Sequence, residues 1–198
     1  MSEELEVLKI VTQRLNKADI PYMISGSIAA NYYAVPRMTR DIDIVIELKQ
    51  GDIDRFTGLF GHDFYVNQEM IINEVLREGM FNLIHNQYIF KIDFIIKKSS
   101  EYQQTAFSRR KEILIEGRPM WYITVEDLVI SKLMWAKDSH SEMQLRDVRN
   151  LIETAKDLDV QYMEYWLRQL GLTELYTEAK NERYNSWNCR SIQESDHE

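Results

Sequence analysis

The sequence predicts an α/β (α+β) protein: a mixed sheet over residues 1–123, a helical part over 124–183 and a short tail over 184–198. Three observations predict it. A short apolar run after Pro21 stops at Gly26-Ser27 and opens into a breaker-free stretch, which reads as strand, turn and helix. The β-branched run from Asp41 to Glu47 and two pairs of apolar runs farther on read as strands. From Thr124 the character changes, and apolar residues recur at helical spacing.

Each element follows from its own pattern. Between Ser2 and Lys17, Leu5, Leu8, Val11 and Leu15 fall at helical spacing with charged residues between them, an amphipathic helix. Pro21-Tyr22-Met23-Ile24-Ser25 suits a buried strand, and Ser27 to Tyr33, with two alanines, suits a short helix. After a loop from Val35 to Arg40, Asp41 to Glu47 alternates acidic and apolar residues at first and reads as a central strand. Ile53, Phe56 and Phe60 predict a short helix between Gly51 and Gly61, whereas Phe64 to Leu76 is ambiguous and its assignment stays open. Met80 to Ile84 and Tyr88 to Ile96 form a hairpin joined by His85-Asn86-Gln87, and Glu112 to Ile115 with Met120 to Ile123 form a second. Thr124 and Asp127 resemble a capping box for a helix carried by Leu128, Lys132, Trp135 and Ala136 to about Asp138. Ser141 with Gln144 opens the next helix, Asp159 opens a third that stops at Gly171, and a fourth runs from Thr173 to Arg183. The final SIQESDHE has little to bury and is expected to fray.

Composition narrows the function classes. With 44% hydrophobic and 28% charged residues, 7 Gly and 3 Pro, the chain is globular and neither collagen-like nor low-complexity. Its apolar runs fall far short of the ~20 residues that span a bilayer, so no membrane partner is expected. An acidic N-terminus, unlike a secretory signal, and a single cysteine, Cys189, lead us to expect a reducing cytoplasm. The net charge of −8 argues against a surface that coats nucleic acid broadly, though it leaves room for a small basic pocket.

The chemistry concentrates in two segments. Asp41 and Asp43 stand two apart on a strand and therefore share one face. Aspartate gains little from a pleated apolar surface, so a pair of them needs an explanation. Asp93 sits in a second strand, Lys91-Ile92-Asp93-Phe94-Ile95-Ile96. Three carboxylates on neighbouring strands repel one another unless a cation lies among them, and a hard ion such as Mg²⁺ takes carboxylates together with substrate phosphates. That points to phosphoryl or nucleotidyl chemistry. Upstream, Gly26-Ser27 closes a strand and opens a helix, where backbone N–H groups and the helix dipole favour phosphate. Ser27 serves equally as a helix cap or as a phosphate donor, and the two roles are compatible. Arg37 and Arg40, in the loop before Asp41, place guanidinium forks within reach of phosphate oxygens.

The segment ISGSIAANYYAVPRMTRDIDIVIE resembles the signature of the DNA polymerase beta-like nucleotidyltransferase superfamily. In that superfamily a Gly-Ser or Gly-Gly turn precedes an Asp-x-Asp strand, and a third carboxylate follows on a later strand. The matching residues here are Gly26 and Ser27, Asp41 and Asp43, and Asp93. The form Arg37-Met38-Thr39-Arg40-Asp41-Ile42-Asp43 looks most like small bacterial members related to abortive-infection and toxin–antitoxin toxins. The later TVEDLVISKLMWAKDSHSEMQLRDVRNLI is similar to their helical part, in which a lysine (Lys132) and an Arg-Asp pair (Arg146, Asp147) recur.

The resemblance implies a nucleotidyltransferase core. Asp41, Asp43 and Asp93 would hold two Mg²⁺ ions and act as catalytic residues. Gly26, Ser27, Arg37, Thr39, Arg40 and Lys132 would bind the NTP, ATP being one possibility. The acceptor would be the 3′ end of a tRNA, a protein hydroxyl or a small molecule, and an antitoxin would be a partner of a toxin. Two other readings stay open: a nucleotidyltransferase-fold module that binds without turnover, and an aminoglycoside-type adenylylating enzyme. Each residue also has a plainer role. Asp41 and Asp43 suit the polar face of an edge strand, and Asp93 suits a salt bridge with Lys91. Arg146 and Asp147 suit an ion pair joining the helical part to the sheet. Arg109-Arg110-Lys111 suits a solvated face or an RNA-phosphate patch, and the tryptophans suit the core.

Overall fold

The computed structural model describes residues 3–39 and 41–181. The chain divides between Thr124 and Val125 into two compact units. In the first, α1 (Glu3–Lys17) buries Val7, Leu8, Val11 and Leu15, a stripe set by their spacing. Strand β1 (Tyr22–Ile24) is buried throughout and leads directly into α2 (Gly26–Tyr33). Strand β2 (Asp41–Ile46) follows, then a 3-10 turn over Gln50–Asp52 and α3 (Ile53–Phe60).

The ambiguous segment resolves into a two-residue strand, β3 (Phe64–Tyr65), and α4 (Gln68–Leu76), whose start is capped by Asn67 accepting the Met70 N–H at 3.0 Å. Next come β4 (Met80–His85) and β5 (Lys91–Ile96). Strand β5 starts three residues later than the apolar run suggests. The buried His85 ring accepts the Gln87 and Tyr88 N–H groups through Nδ1, and Ile89 takes φ 53°, so residues 86–89 fold into the connection. Helix α5 (Glu101–Ser108) had no counterpart among the predicted elements. Its signal is Ser100, whose Oγ accepts the Gln103 N–H at 3.4 Å. The hairpin of β6 (Lys111–Ile115) and β7 (Arg118–Tyr122) completes the unit.

The seven strands form one mixed sheet in the order β3-β4-β5-β2-β1-β7-β6. Strand β2 runs antiparallel to β1 and parallel to β5, with Ile42↔Ile92, Asp43↔Asp93 and Ile44↔Phe94 opposite one another. Ile42, Ile44 and Ile46 are fully buried on one face, which Ile92, Phe94, Phe81 and Leu83 continue across β5 and β4. Phe56 and Phe60 from α3 pack edge-on and tilted against Phe94 at 5.3 and 6.2 Å. Burying that face turns Asp41, Asp43, Lys91 and Asp93 onto the other one, because side chains alternate along a strand. The charged cluster is thus a consequence of the register of the apolar core.

The second unit contains α6 (Val125–Ser139), α7 (Glu142–Thr154), α8 (Val160–Gln169) and helical residues 173–181. Asp159 caps α8 by accepting the Tyr162 N–H at 3.0 Å, and Gly171 ends it with φ 62°. Ser141 holds the N-cap position of α7, but its side chain makes no capping bond. The partner expected for it, Gln144, instead accepts from Lys132 Nζ at 3.0 Å. Asp127 is fully buried and accepts the Tyr162 hydroxyl at 2.6 Å. Trp166 is buried as expected, whereas Trp135 is about half exposed. Among the described residues no helix is long and apolar enough to cross a membrane. Arg40, Arg183 and the tail expected over 184–198 lie outside the described residues.

Candidate active site

Three elements converge on the acidic face. Ser25 follows β1, and its N–H donates to the Asp43 carbonyl at 2.9 Å, locking the start of α2 to the middle of β2. Gly26 then takes φ +60°, a left-handed conformation that glycine adopts without steric cost. A Cβ built on Gly26 would lie 1.8 Å from Asp43 Oδ2 and 2.7 Å from Asp43 Cβ. The Asp43 side chain therefore occupies the space that only a glycine leaves. It lies at the N-terminal, positive end of α2, where the helix dipole favours a carboxylate. The first intrahelical bond is from the Ala29 N–H to the Ser25 carbonyl, so the turn before it presents N–H groups not used by the helix ladder.

Ser27 does not cap this helix. The N-cap is Ser25, two residues earlier, and its side chain makes no capping bond. The Ser27 hydroxyl instead accepts from Arg37 Nη2 at 2.8 Å. Arg37 is brought there by Asn31, whose side chain donates to the Arg37 carbonyl at 2.8 Å and accepts the Arg37 N–H at 3.0 Å. The loop is thus folded back on α2 so that a guanidinium stands at its N-terminal turn. Asn31 was missed from sequence, and its only signal is an amide on a short helix six residues before the arginine. Thr39 Oγ1 donates to the Asp41 carbonyl at 3.3 Å and so belongs to the strand entry.

On β5, Lys91 stands opposite Asp41 and two residues before Asp93. Its Nζ lies 2.8 Å from Asp93 Oδ2 and 3.5 Å from Asp41 Oδ1. The salt bridge envisaged for Asp93 is therefore present, and Lys91 bridges two strands. The Asp93 hydrogen bond, then the charges of Asp93 and Asp41, hold the Lys91 ammonium above its usual pKa range despite partial burial. The side chain of Asp93 is 9% exposed. Its Oδ1 is buried and has no hydrogen-bond partner among the described residues, an expensive condition for a carboxylate oxygen. Carboxylate donors of this kind, with one buried oxygen left over, suit a hard divalent cation. Among the described residues, however, no three His, Cys, Asp or Glu side chains are gathered as a metal-binding group.

Lys132 belongs to the second unit. It is 3% exposed, and its Nζ lies 2.8 Å from Asp147 Oδ2, both side chains being buried. Asp147 is thus paired inside the helical unit with Lys132. Arg146 lines an open cavity of about 530 Å³ with Glu142, Met143 and Arg149. Arg110 lies over the Phe107 and Trp121 rings at 4.3 and 5.0 Å and donates to the Phe107 carbonyl at 2.7 Å. That packing accounts for one member of the basic run considered as an RNA patch.

No family model matches the chain, and no curated protein matches it. The fold it adopts is that of nucleotidyltransferase-like proteins. It is similar to an antigenic nucleotidyltransferase-like protein from Paracoccidioides brasiliensis, with 19% identity, TM-score 0.52, and coverage of 88% of this chain and 91% of that one. It is also similar to ANT(2″)-Ia in complex with adenylyl-2″-tobramycin, with 14% identity, TM-score 0.56, and coverage of 85% and 98%. The lincomycin-bound lincosamide antibiotic adenylyltransferase LnuA gives 14% identity, TM-score 0.50, and coverage of 78% and 99%.

Proposed function

We propose that the chain is a Mg²⁺-dependent nucleotidyltransferase that moves a nucleoside monophosphate from an NTP to an acceptor hydroxyl. The observation that carries this reading is the fit between Asp43 and Gly26: a carboxylate of the acidic strand lies directly over a side-chain-free helix N-terminus. The acid read as a metal ligand and the turn read as a phosphate seat are neighbours, which supports this reading. Asp41 and Asp43 would hold divalent metal, which when bound would supply electrostatic stabilisation of the charge that develops in phosphoryl transfer.

The chain's own groups supply the rest. The N–H groups of the first turn of α2 receive the β and γ phosphates, and the Arg37 guanidinium beside Ser27 adds a charged donor to the same seat. Seated there, the pyrophosphate is positioned to leave in line with the attacking oxygen. Asp93, held through Oδ2 by Lys91, is the carboxylate on the neighbouring strand that would take the proton from the acceptor hydroxyl.

The resemblance to toxin-related enzymes implies an RNA 3′ end or a protein hydroxyl as acceptor, with an antitoxin as partner. A second reading, a small-molecule hydroxyl, is favoured by the adenylyl-tobramycin and lincomycin bound in two proteins of similar fold. One experiment separates them. The purified chain is incubated with Mg²⁺, each α-labelled NTP and, separately, total RNA, protein extract, an aminoglycoside and a lincosamide. Label is expected on one acceptor class and absent with Asp41→Asn plus Asp43→Asn. Absence of both transfer and NTP binding in the wild type would overturn the reading, and NTP binding without transfer would leave the binding module.

A further inference from the structure

The loop that carries Arg37 is not held by burial. No residue from 34 to 39 is buried, and Val35 and Met38 are 69% and 90% exposed. The apolar packing that fixes β2 stops at the strand, so the place of the loop has to come from polar bonds. Asn31 makes two of them to a single residue: its Nδ2 donates to the Arg37 carbonyl at 2.8 Å, and its Oδ1 accepts the Arg37 N–H at 3.0 Å. A carboxamide carries donor and acceptor on one planar group, and using both at once fixes the orientation of the backbone it grips. Asn31 belongs to α2 itself, so the grip refers Arg37 to the helix whose first turn is the phosphate seat, where Arg37 Nη2 donates to Ser27 Oγ at 2.8 Å.

We propose that Asn31 is a positioning residue for the triphosphate: without touching substrate, it raises the affinity for a polyphosphate by keeping the Arg37 charge at the N-terminal turn of α2. This rests on the nucleotidyltransferase reading and deepens it by naming what preorganises the seat. Arg37 keeps its other contacts, such as Nη1 to the Met38 carbonyl at 3.3 Å; Asn31 decides where its charge stands, not how many partners it has. Apparent affinity scales with the fraction of molecules in the competent arrangement, so a loop that holds Arg37 in place a tenth of the time binds about tenfold more weakly. The loss cannot exceed that of removing the Arg37 charge, because Asn31 acts through Arg37 alone.

The test titrates the full chain by calorimetry, in buffer containing Mg²⁺, with inorganic tripolyphosphate, which has no base, and with each NTP. Wild type is compared with Asn31→Ala, Asn31→Leu, Arg37→Met and the double variant Asn31→Leu plus Arg37→Met. Each single variant is expected to weaken tripolyphosphate binding about tenfold, and the double variant no further than Arg37→Met alone. A merely structural Asn31 would cost the same factor whether Arg37 is present or absent, so additive losses would overturn the proposal. Tripolyphosphate affinity within a factor of two of wild type in a folded Asn31 variant or in Arg37→Met would overturn it as well. The Arg37 amide of the wild type, bonded to Asn31, is expected to exchange its hydrogen slowly; unprotected exchange there would overturn the proposal even if neither Asn31 variant folds, by showing that the grip does not persist in solution. NTP bound by the wild type without affinity for tripolyphosphate would overturn it and leave the nucleotidyltransferase reading standing. Neither NTP nor tripolyphosphate bound by the wild type would be the failure of that reading, and of this proposal with it.

Discussion

Replacing Gly26 by alanine adds one methyl group at the point where helix and acidic strand meet, and its consequences can be worked from the structure. The backbone there has φ +60°, which costs a residue with a Cβ roughly 1–2 kcal/mol. The new Cβ would be 1.8 Å from Asp43 Oδ2, 2.5 Å from Cγ and 2.7 Å from Cβ. Rotating the carboxylate away relieves the first two contacts but not the third, because the Asp43 Cβ moves only with its strand. Helix and strand must therefore separate by several tenths of an ångström, and the carboxylate must swing by more than that. A misplacement of about 1 Å at a reacting centre can cost ~10²-fold in rate. We expect Gly26→Ala to lose about a hundredfold or more in kcat/KM for label transfer. At 1–2 kcal/mol its Tm should fall by roughly 2–8 °C, leaving a folded protein. The assay pairs steady-state transfer with thermal melting on the same preparation. Transfer within a factor of three of wild type would refute the reasoning, since the closeness of Asp43 to this turn would then have no bearing on chemistry.

Three further outcomes are expected. Asp93→Asn should keep most NTP affinity by calorimetry while losing about 10²-fold or more in single-turnover transfer, the usual scale of general-base catalysis; an unchanged rate would remove Asp93 from the chemistry. Asp147→Ala removes the buried carboxylate paired with Lys132 and should destabilise the chain by about 3 kcal/mol in urea unfolding; a loss below about 1 kcal/mol would mean that the pair is compensated elsewhere. Asp63 is held below the usual carboxylate range by its hydrogen bonds to Arg14, and His85, 3.9 Å away, is pushed down chiefly by burial. For both groups the folded pKa lies below the unfolded one, so their stabilisation is present above the unfolded pKa and lost as pH falls through the folded value. His85→Phe should therefore flatten the loss of stability seen below the ordinary histidine range, near pH 6. Arg14→Met should lower stability at pH 7, with the difference fading once pH drops below the ordinary carboxylate range; parallel pH–stability curves for wild type and both variants would contradict the assignment.

The sequence by itself determined the elements whose pattern is local. The helical stripe of α1, the strand–glycine–helix unit at Met23 to Tyr33 and the alternation at Asp41 to Ile44 are each written in residues a few positions apart. The alternation decides that Asp41 and Asp43 share a face, because strand periodicity is a property of the backbone. Cap chemistry placed α8 through Asp159 and Gly171 and the start of α7 at Ser141, although the Ser141 side chain makes no capping bond; it misled at Ser27, whose hydroxyl is taken by Arg37 from another segment. Helix α5 went unread because its apolar face is short and its cap, Ser100, is one polar residue among several. What only the tertiary structure decided is non-local. The parallel pairing of β2 with β5 puts Asp43 opposite Asp93 and inserts Lys91 between two acids some fifty residues apart in sequence. Asn31 fastens Arg37 to the helix N-terminus, and Asp43 fills the space over Gly26. Such contacts are selected by the register that buries Ile42, Ile44, Phe94 and Phe81 together. No window of sequence contains that register, because it is a choice among strand pairings made by the burial of the whole core.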